Sequence, residues 1–313
     1  MAFVSVDTHS VALVSDIYSD VQCTLIRILI SRGFMAATPQ HIVMAVQTAL
    51  AEDIGDGDLT AALVPDATSA IARVVSREST VVCGRPWFDE TFRQLSDEIR
   101  IDWRTQEGAQ TAPEQIVCEL HGPARPILSG ERTALNFLQI LSGTANQAKR
   151  FAERIVGTKA RVLDTRKTIP GLRVAQKYAV RVGGGTNHRI GLYDGVLIKE
   201  NHLRSTMTIA AAIRTAYAHA PASAFVEVEV ESVAELEEAL DAGAQRVLLD
   251  NFNLQQLNEA VAVNAGRALL EASGNVTLDN IAEIANTGVD YISVGAMTKH
   301  VHAADFSLLF DII

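Results

Sequence analysis

The feature that most constrains the fold of this chain lies between residues 160 and 295, where short apolar runs alternate with amphipathic helical segments. The runs are ARVLD (160–164), GVLIK (195–199), AFVEVEV (224–230), RVLLD (246–250), ALLEAS (268–273) and YISVG (291–295). Segments such as SVAELEEALDAG and NLQQLNEAVAV separate them. A β–α–β alternation of this kind implies a parallel sheet with right-handed crossovers. The later runs are evenly spaced: Glu229, Asp250 and Glu271 are 21 residues apart, and Gly295 follows 24 further on. Polar groups at successive strand ends are what the C-terminal rim of a (β/α) barrel needs. An open, TIM-like α/β barrel over 130–299 is therefore expected, with a doubly wound sheet as the alternative.

The first half reads differently. A helix is predicted from Thr38-Pro39, since Thr caps helices well and Pro is favoured at the first helical position. Residues 70–125 read as short strands, including IARVVSRE and QIVCELHG, and a long helix is predicted over 131–156. This gives an N-terminal α+β sandwich domain over 38–129, to which the C-terminal segment 300–313 is a candidate addition. Residues 1–37 read as an extension, with one helix around 20–32.

Charge narrows the chemistry. The net charge of −10 leaves no basic surplus for nucleic acid. Yet from Asp164 to Arg204 eight basic residues face only three acidic ones. A basic island in an acidic chain suggests a pocket for a small anionic ligand. Arg166 and Lys167 follow a strand directly, and Arg offers a planar fork to carboxylates and Lys a point charge to phosphate. His188 and Arg189 follow Gly183–Gly185, which would let the backbone approach a ligand or take positive φ. Lys199 ends an apolar strand and needs an anionic partner. Arg173, Lys177 and Arg181 belong either to this pocket or to a helix surface. Glu227, Glu229 and Glu231 share one strand face by the period of two. With Asp250 on the next strand, Glu229 could hold Mg²⁺ or offset a developing positive charge. The turns Ser273-Gly274-Asn275 and Val294-Gly295-Ala296 lie at the last strand ends, where barrels commonly bind phosphate through backbone N–H groups. Three widely spaced cysteines, the lack of a secretory signal and the lack of an apolar run of spanning length fit a cytoplasmic protein without a membrane anchor.

These stretches resemble one family. EDIGDGDLT, ERTALNFLQILSGTA, DTRKTIPGLRVAQKYAV, GGGTNHRIGLYDGVLIKENH, VEVEVES, LLDNF, EASGNV and GVDYISVGAMT together look like quinolinate phosphoribosyltransferase, over about residue 40 to the C-terminus. The resemblance implies Mg²⁺-dependent transfer from 5-phosphoribosyl 1-diphosphate to quinolinate, with loss of CO₂, giving nicotinate mononucleotide for NAD biosynthesis. It implies that Arg166, His188, Arg189 and Lys199 bind the quinolinate carboxylates beside Thr165. It also implies that Lys167 and Lys199 contact the donor, that Glu229 and Asp250 sit near its ribose and the metal, and that residues 273–275 and 294–296 cradle its 5-phosphate. A homodimer, or a higher oligomer built from it, would supply Arg132 across the interface. The chain departs from the usual pattern at Val182, Asn275 and Lys299-His300. Three other readings remain open on the residues alone: a phosphoribosyltransferase for nicotinate or another anionic ring, a Schiff-base barrel lyase using Lys199, and a non-catalytic anion-binding protein.

Overall fold

The computed structural model describes residues 37–203 and 208–313. The expected extension up to residue 36, with its helix around 20–32, lies outside the described residues.

Helix α1 (Pro39–Ile54) begins where Thr38-Pro39 places it, and the Thr38 side chain accepts the His41 N–H. Strand β1 (Ser69–Ser76) is followed by α2 (Arg85–Leu95), then β2 (Arg100–Trp103) and β3 (Gln115–Pro123). Helix α2 lies in a region read as strands. Its sequence, RPWFDETFRQL, is rich in aromatic residues that favour strands, but Trp87, Phe88, Thr91 and Phe92 are buried at helical spacing. Pro86 in the first turn marked that start. Helix α3 (Ala124–Arg154) starts seven residues before the expected 131. Pro126 and Gly130 obscured its beginning, although Pro is tolerated in a first turn because its missing N–H would have no partner there.

The C-terminal strand β10 (Phe306–Ile312) runs antiparallel to β1, from Ser76↔Phe306 to Ala70↔Ile312. The first sheet is thus ordered β10-β1-β3-β2, and the chain's end completes a sheet begun at its start. Helix α3 links the layers: Ile127 and Leu138 pack on this sheet with Phe88 and Phe92, Leu141 packs with α1, and Phe151 joins the core of the second unit.

That second unit contains β4 (Arg161–Leu163), α4 (Arg173–Val182), β5 (Gly195–Ile198), α5 (Glu200–Leu203), α6 (Ile209–His219), β6 (Phe225–Val230), α7 (Val233–Asp241) and β7 (Arg246–Asp250). Then come α8 (Leu254–Asn264), β8 (Leu269–Ser273), α9 (Ile281–Asn286), β9 (Tyr291–Ser293) and α10 (Ala296–Lys299). All six strands are parallel, in the order β4-β9-β8-β7-β6-β5. From β5 to β9 the chain always advances in one direction. That winding puts the helices on one side of the sheet and leaves the other side as an interior. A doubly wound sheet would reverse direction. No pairing joins β5 to β4, so the barrel is open.

The outward faces of the strands carry the core. Val226, Val228, Val230, Val247, Leu249, Leu270 and Ile292 pack against Leu236, Leu257 and Ile281 of the surrounding helices. The inward positions, one residue out of phase, are free for chemistry.

Candidate active site

The inward side chains form layers, as in closed barrels. Lowest is Arg246, whose guanidinium lies 4.7 Å from the ring centroids of both Phe225 and Tyr291. Above it Glu229, Leu248 and Glu271 are level by the pairings Glu229↔Leu248 and Leu248↔Glu271, while Glu227, two residues earlier on β6, falls at the level of Arg246. Higher still are Asp250 and Ser273, which pair with one another. The two-residue period of VEVEV therefore does aim Glu227 and Glu229 inward. Glu231 leaves the row, because β6 ends at Val230 and Glu231 is exposed.

A cavity of about 900 Å³ opens at the C-terminal rim. It takes in Thr165, Arg166, Lys167, His188, Arg189, Lys199, Glu229 and Asp250, together with both glycine turns, Ser273–Asn275 and Val294–Ala296. Every residue that the family resemblance placed in the site meets there except Arg132. Arg132 projects from α3 and is exposed, and among the described residues its ion partner is its neighbour Glu131 at 3.9 Å.

Local contacts hold the cations in place. The Lys167 N–H donates to Thr165 Oγ1 at 3.0 Å, and the Thr298 hydroxyl donates to the Lys167 carbonyl at 2.7 Å. This ties the loop after β4 to α10. Arg189 Nη1 donates to the Gly195 carbonyl at 3.0 Å. Lys199 Nζ donates to Glu229 Oε2, which meets the strand-end lysine's need for an anionic partner. Burial pushes the Glu229 carboxyl up, and Lys199 pulls it back. Gly274 takes φ 101°, and a Cβ there would come within 2.2 Å of Asn251 Oδ1. Only glycine lets this turn lie so close to the cavity wall.

Several expectations are corrected. Lys177 belongs to neither pocket nor surface: it is 1% exposed and ion-paired with Asp164, which is 0% exposed. Asp164 also accepts from Asn187 Nδ2 at 2.5 Å and from the His188 N–H at 2.9 Å. The basic residue and the strand-end acid thus neutralise one another inside the fold, below the loop that carries His188. Arg173 holds that loop from outside, donating to the Ile190 carbonyl at 3.2 Å and to Thr168 Oγ1 at 3.1 Å. Gly183–Gly185 do not approach a ligand. A Cβ on Gly183 would meet the Ala145 carbonyl oxygen at 2.2 Å, so Gly183 lets the chain pass against α3, while Gly184 takes the positive φ, 90°, that the sequence allowed for.

His188 is not placed as a free cation. Its Nδ1 accepts the Arg189 N–H at 2.7 Å, and its Nε2 lies 2.8 Å from Glu227 Oε2. Burial depresses its pKa to about 4, so the ring is neutral.

Sequence reasoning missed Arg246. It opens the run RVLLD, where a strand-starting Arg reads as a surface residue. Inside the barrel it bridges Glu227 Oε1 at 2.8 Å and Glu271 Oε2. Its signal was the pair of inward glutamates, which need a cation at their level. Asn251, Lys299 and His300 also line the cavity.

Comparison with known proteins agrees with this architecture. The description "Quinolinate phosphoribosyl transferase, N-terminal domain" matches residues 58–142, and its C-terminal counterpart matches residues 144–309. The chain belongs to the quinolinate phosphoribosyltransferase family. A relative from Mycobacterium leprae (strain TN), named nicotinate-nucleotide pyrophosphorylase (carboxylating), is 41% identical over 272 residues, covering 84% of this chain and 95% of its own. One from Bacillus subtilis (strain 168), named as probable for the same activity, is 37% identical over 257 residues, covering 82% of this chain and 89% of its own. The solved structure of the nicotinate-nucleotide pyrophosphorylase from Francisella tularensis superposes with a TM-score of 0.84 at 45% identity, covering 88% of this chain and 97% of its own.

Proposed function

We propose that the chain transfers the phosphoribosyl group of 5-phosphoribosyl 1-diphosphate to quinolinate and releases diphosphate and CO₂, forming nicotinate mononucleotide. The observation that carries this reading, in a member of this family, is the rim cavity. Five cationic residues, Arg166, Lys167, Arg189, Lys199 and Lys299, surround the acidic pair Glu229 and Asp250. Such a site suits a dianionic ring and a polyphosphorylated sugar together.

Arg166, Arg189 and Lys199 bind the ring carboxylates and aim the ring nitrogen at the anomeric carbon, which is mainly a positioning contribution. Lys167 meets the donor's phosphates, and the turns at Gly274 and Gly295 receive its 5-phosphate on backbone N–H groups. As diphosphate leaves, positive charge develops on the ribose, and the carboxylates of Glu229 and Asp250 offset it. Once the ring nitrogen is alkylated it is cationic and takes up the electron pair of the breaking C–CO₂ bond. The ring carbon then gains a proton.

Glu229 and Asp250 also fit Mg²⁺, as two hard oxygen ligands on adjacent strands. Because Lys199 engages Glu229 Oε2, a metal held through water and donor oxygens fits best. Bound there, Mg²⁺ would neutralise diphosphate charge.

The reading includes a homodimer in the cytoplasm, with Arg132 supplied by a second copy. Its support is the exposure of Arg132 away from its own cavity, and an uncovered apolar patch nearby. Leu59 and Leu63 are 90% and 82% exposed beside the turn that Ser129 and Arg125 of α3 hold. The buried, unpaired Cys83 and Cys118 suit a reducing compartment.

The test is an assay with quinolinate, the donor and Mg²⁺, following nicotinate mononucleotide and diphosphate. Nicotinate is expected to turn over far more slowly than quinolinate, because cations that a second carboxylate would meet are left without it. Absence of product with quinolinate would sink the proposal. A Schiff-base lyase is disfavoured because Lys199 is engaged by Glu229.

A further inference from the structure

Beneath the rim the barrel holds more negative charge than its cations match. Glu227 of β6 and Glu271 of β8 are both 0% exposed. Among the described residues the cation ion-paired with both is Arg246 of β7, and Arg189 acts on Glu227 without an ion pair. His188, from the loop after α4, adds no charge. With Nδ1 accepting from the Arg189 backbone, its proton sits on Nε2 and is donated to Glu227 Oε2, while Glu271 Oε2 lies 3.5 Å from the same nitrogen. Tyr291 of β9 faces Glu271 in register and presents only its ring to Arg246. Two carboxyl groups therefore share one guanidinium in a buried layer, and the surplus charge is removed if one carboxyl keeps its proton.

The hydrogen bonds identify which one. Both oxygens of Glu227 receive donors, from Arg246 and from His188. Glu271 Oε2 receives Arg246, but Glu271 Oε1 is buried without any partner. An ionised oxygen stranded in this way is costly, whereas a hydroxyl there is a donor awaiting an acceptor. Glu271 lines the cavity, one layer below Asp250 and Ser273. His188, Glu227 and Glu271 offer atoms within 4.8 Å of one another, but Arg246 already supplies the positive charge a metal would bring.

We infer that Glu271 is a substrate-binding residue of the dicarboxylate pocket, held as the neutral acid and donating a hydrogen bond from its otherwise unpartnered oxygen to a carboxylate of the dianion. This rests on the quinolinate reading and deepens it. Burial pushes the Glu271 carboxyl up to about 7, with Glu227 adding to the rise and His188 and Arg246 opposing it. A bound anion raises it further, so binding above neutrality takes up a proton.

The experiment is calorimetric titration of the intact enzyme with quinolinate, without the donor, from about pH 6 to about pH 9 in two buffers of different ionisation enthalpy. Wild type is expected to take up close to one proton per site near pH 8, with affinity falling about tenfold per pH unit there. Glu271→Gln, which can still accept from Arg246 and donate to the ligand, should bind at low pH within about fivefold of wild type. It should take up no proton and lose the pH slope. Difference infrared spectra of wild type alone give a second readout: a protonated carboxyl C=O band should shift on quinolinate binding and be absent from Glu271→Gln. Equal slopes in both proteins, or no proton uptake and no carboxyl band in wild type, overturn the inference while leaving the functional reading intact. Failure of wild type to bind quinolinate at any pH overturns both.

Discussion

Replacing Lys177 by Met would remove the cation ion-paired with Asp164, at a point where neither side chain reaches water. The Lys177 ammonium also donates to the His188 carbonyl at 3.1 Å, and Asp164 would keep its hydrogen bonds from Asn187 Nδ2 and the His188 N–H. Burial opposes the charged form of both groups, and the ion pair between them works the other way. Breaking a pair of this kind from one side costs about 3–5 kcal/mol, because an uncompensated charge stays behind. At about 2–4 °C per kcal/mol for a chain of this size, the melting temperature should drop by roughly 6–20 °C. The assay is thermal and urea unfolding of wild type, Lys177→Met, and the double variant Lys177→Met/Asp164→Asn. The double variant should recover more than half of the loss, since neutralising both partners removes the stranded charge. The pair grips both the N–H and the carbonyl of His188, so Lys177→Met should also raise KM for quinolinate more than it lowers kcat. A loss below about 1 kcal/mol, or a double variant less stable than the single, would refute the assignment of a structural ion pair.

Four further outcomes are expected. Neither Arg132→Ala nor Lys167→Ala should be active alone, but mixing them should restore about a quarter of wild-type activity if Arg132 acts across a twofold dimer, and none if it acts within its own chain. Gly274→Ala, forced into φ near 101° and against Asn251, should raise KM for the phosphoribosyl donor at least about tenfold, with quinolinate affinity little changed. Lys199→Ala should lower kcat/KM by about a hundredfold or more, and borohydride should trap no adduct on the wild-type protein. His188→Asn should change the pH dependence of stability. His188, with its folded pKa lowered to about 4, makes stability fall as pH drops below its ordinary 6.5, whereas Glu271, raised from 4.5 to about 7, makes stability fall as pH rises between those values. The two slopes oppose each other over their shared window. Removing His188 should leave the Glu271 slope alone, approaching about 1.4 kcal/mol per pH unit, and a flat profile in a pH-dependent denaturation series would contradict it.

The rim was legible because barrel topology ties chemistry to a repeated position. A polar residue at the end of an apolar run places Lys199, Glu229, Asp250 and Ser273 at one mouth, joined by the turn at Gly295, although the same rule fails for Asp164, which is buried with Lys177. The island's other cations were not legible. Arg166 and Lys177 look alike as basic residues following one strand, yet one lines the cavity and the other is sealed against Asp164. Helical phase in α4 turns Lys177 inward, and only the packed loop of His188 shows what it meets. Arg246 was missed for a related reason: as the first residue of its strand it reads as exposed, until closure of the sheet brings Phe225 and Tyr291 to either side of it.

By itself the sequence determined the order of strands and helices in the barrel, the alternation that puts the valines of β6 on one face and Glu227 and Glu229 on the other, and the residues that end each strand. These are local properties, set by the periods of two and 3.6. Tertiary structure alone decided which charges face the cavity and which cancel out of sight. Burial and pairing depend on what lies across the barrel, and partners such as His188 and Glu227, or Glu271 and Arg246, are brought together only when the sheet curves around them.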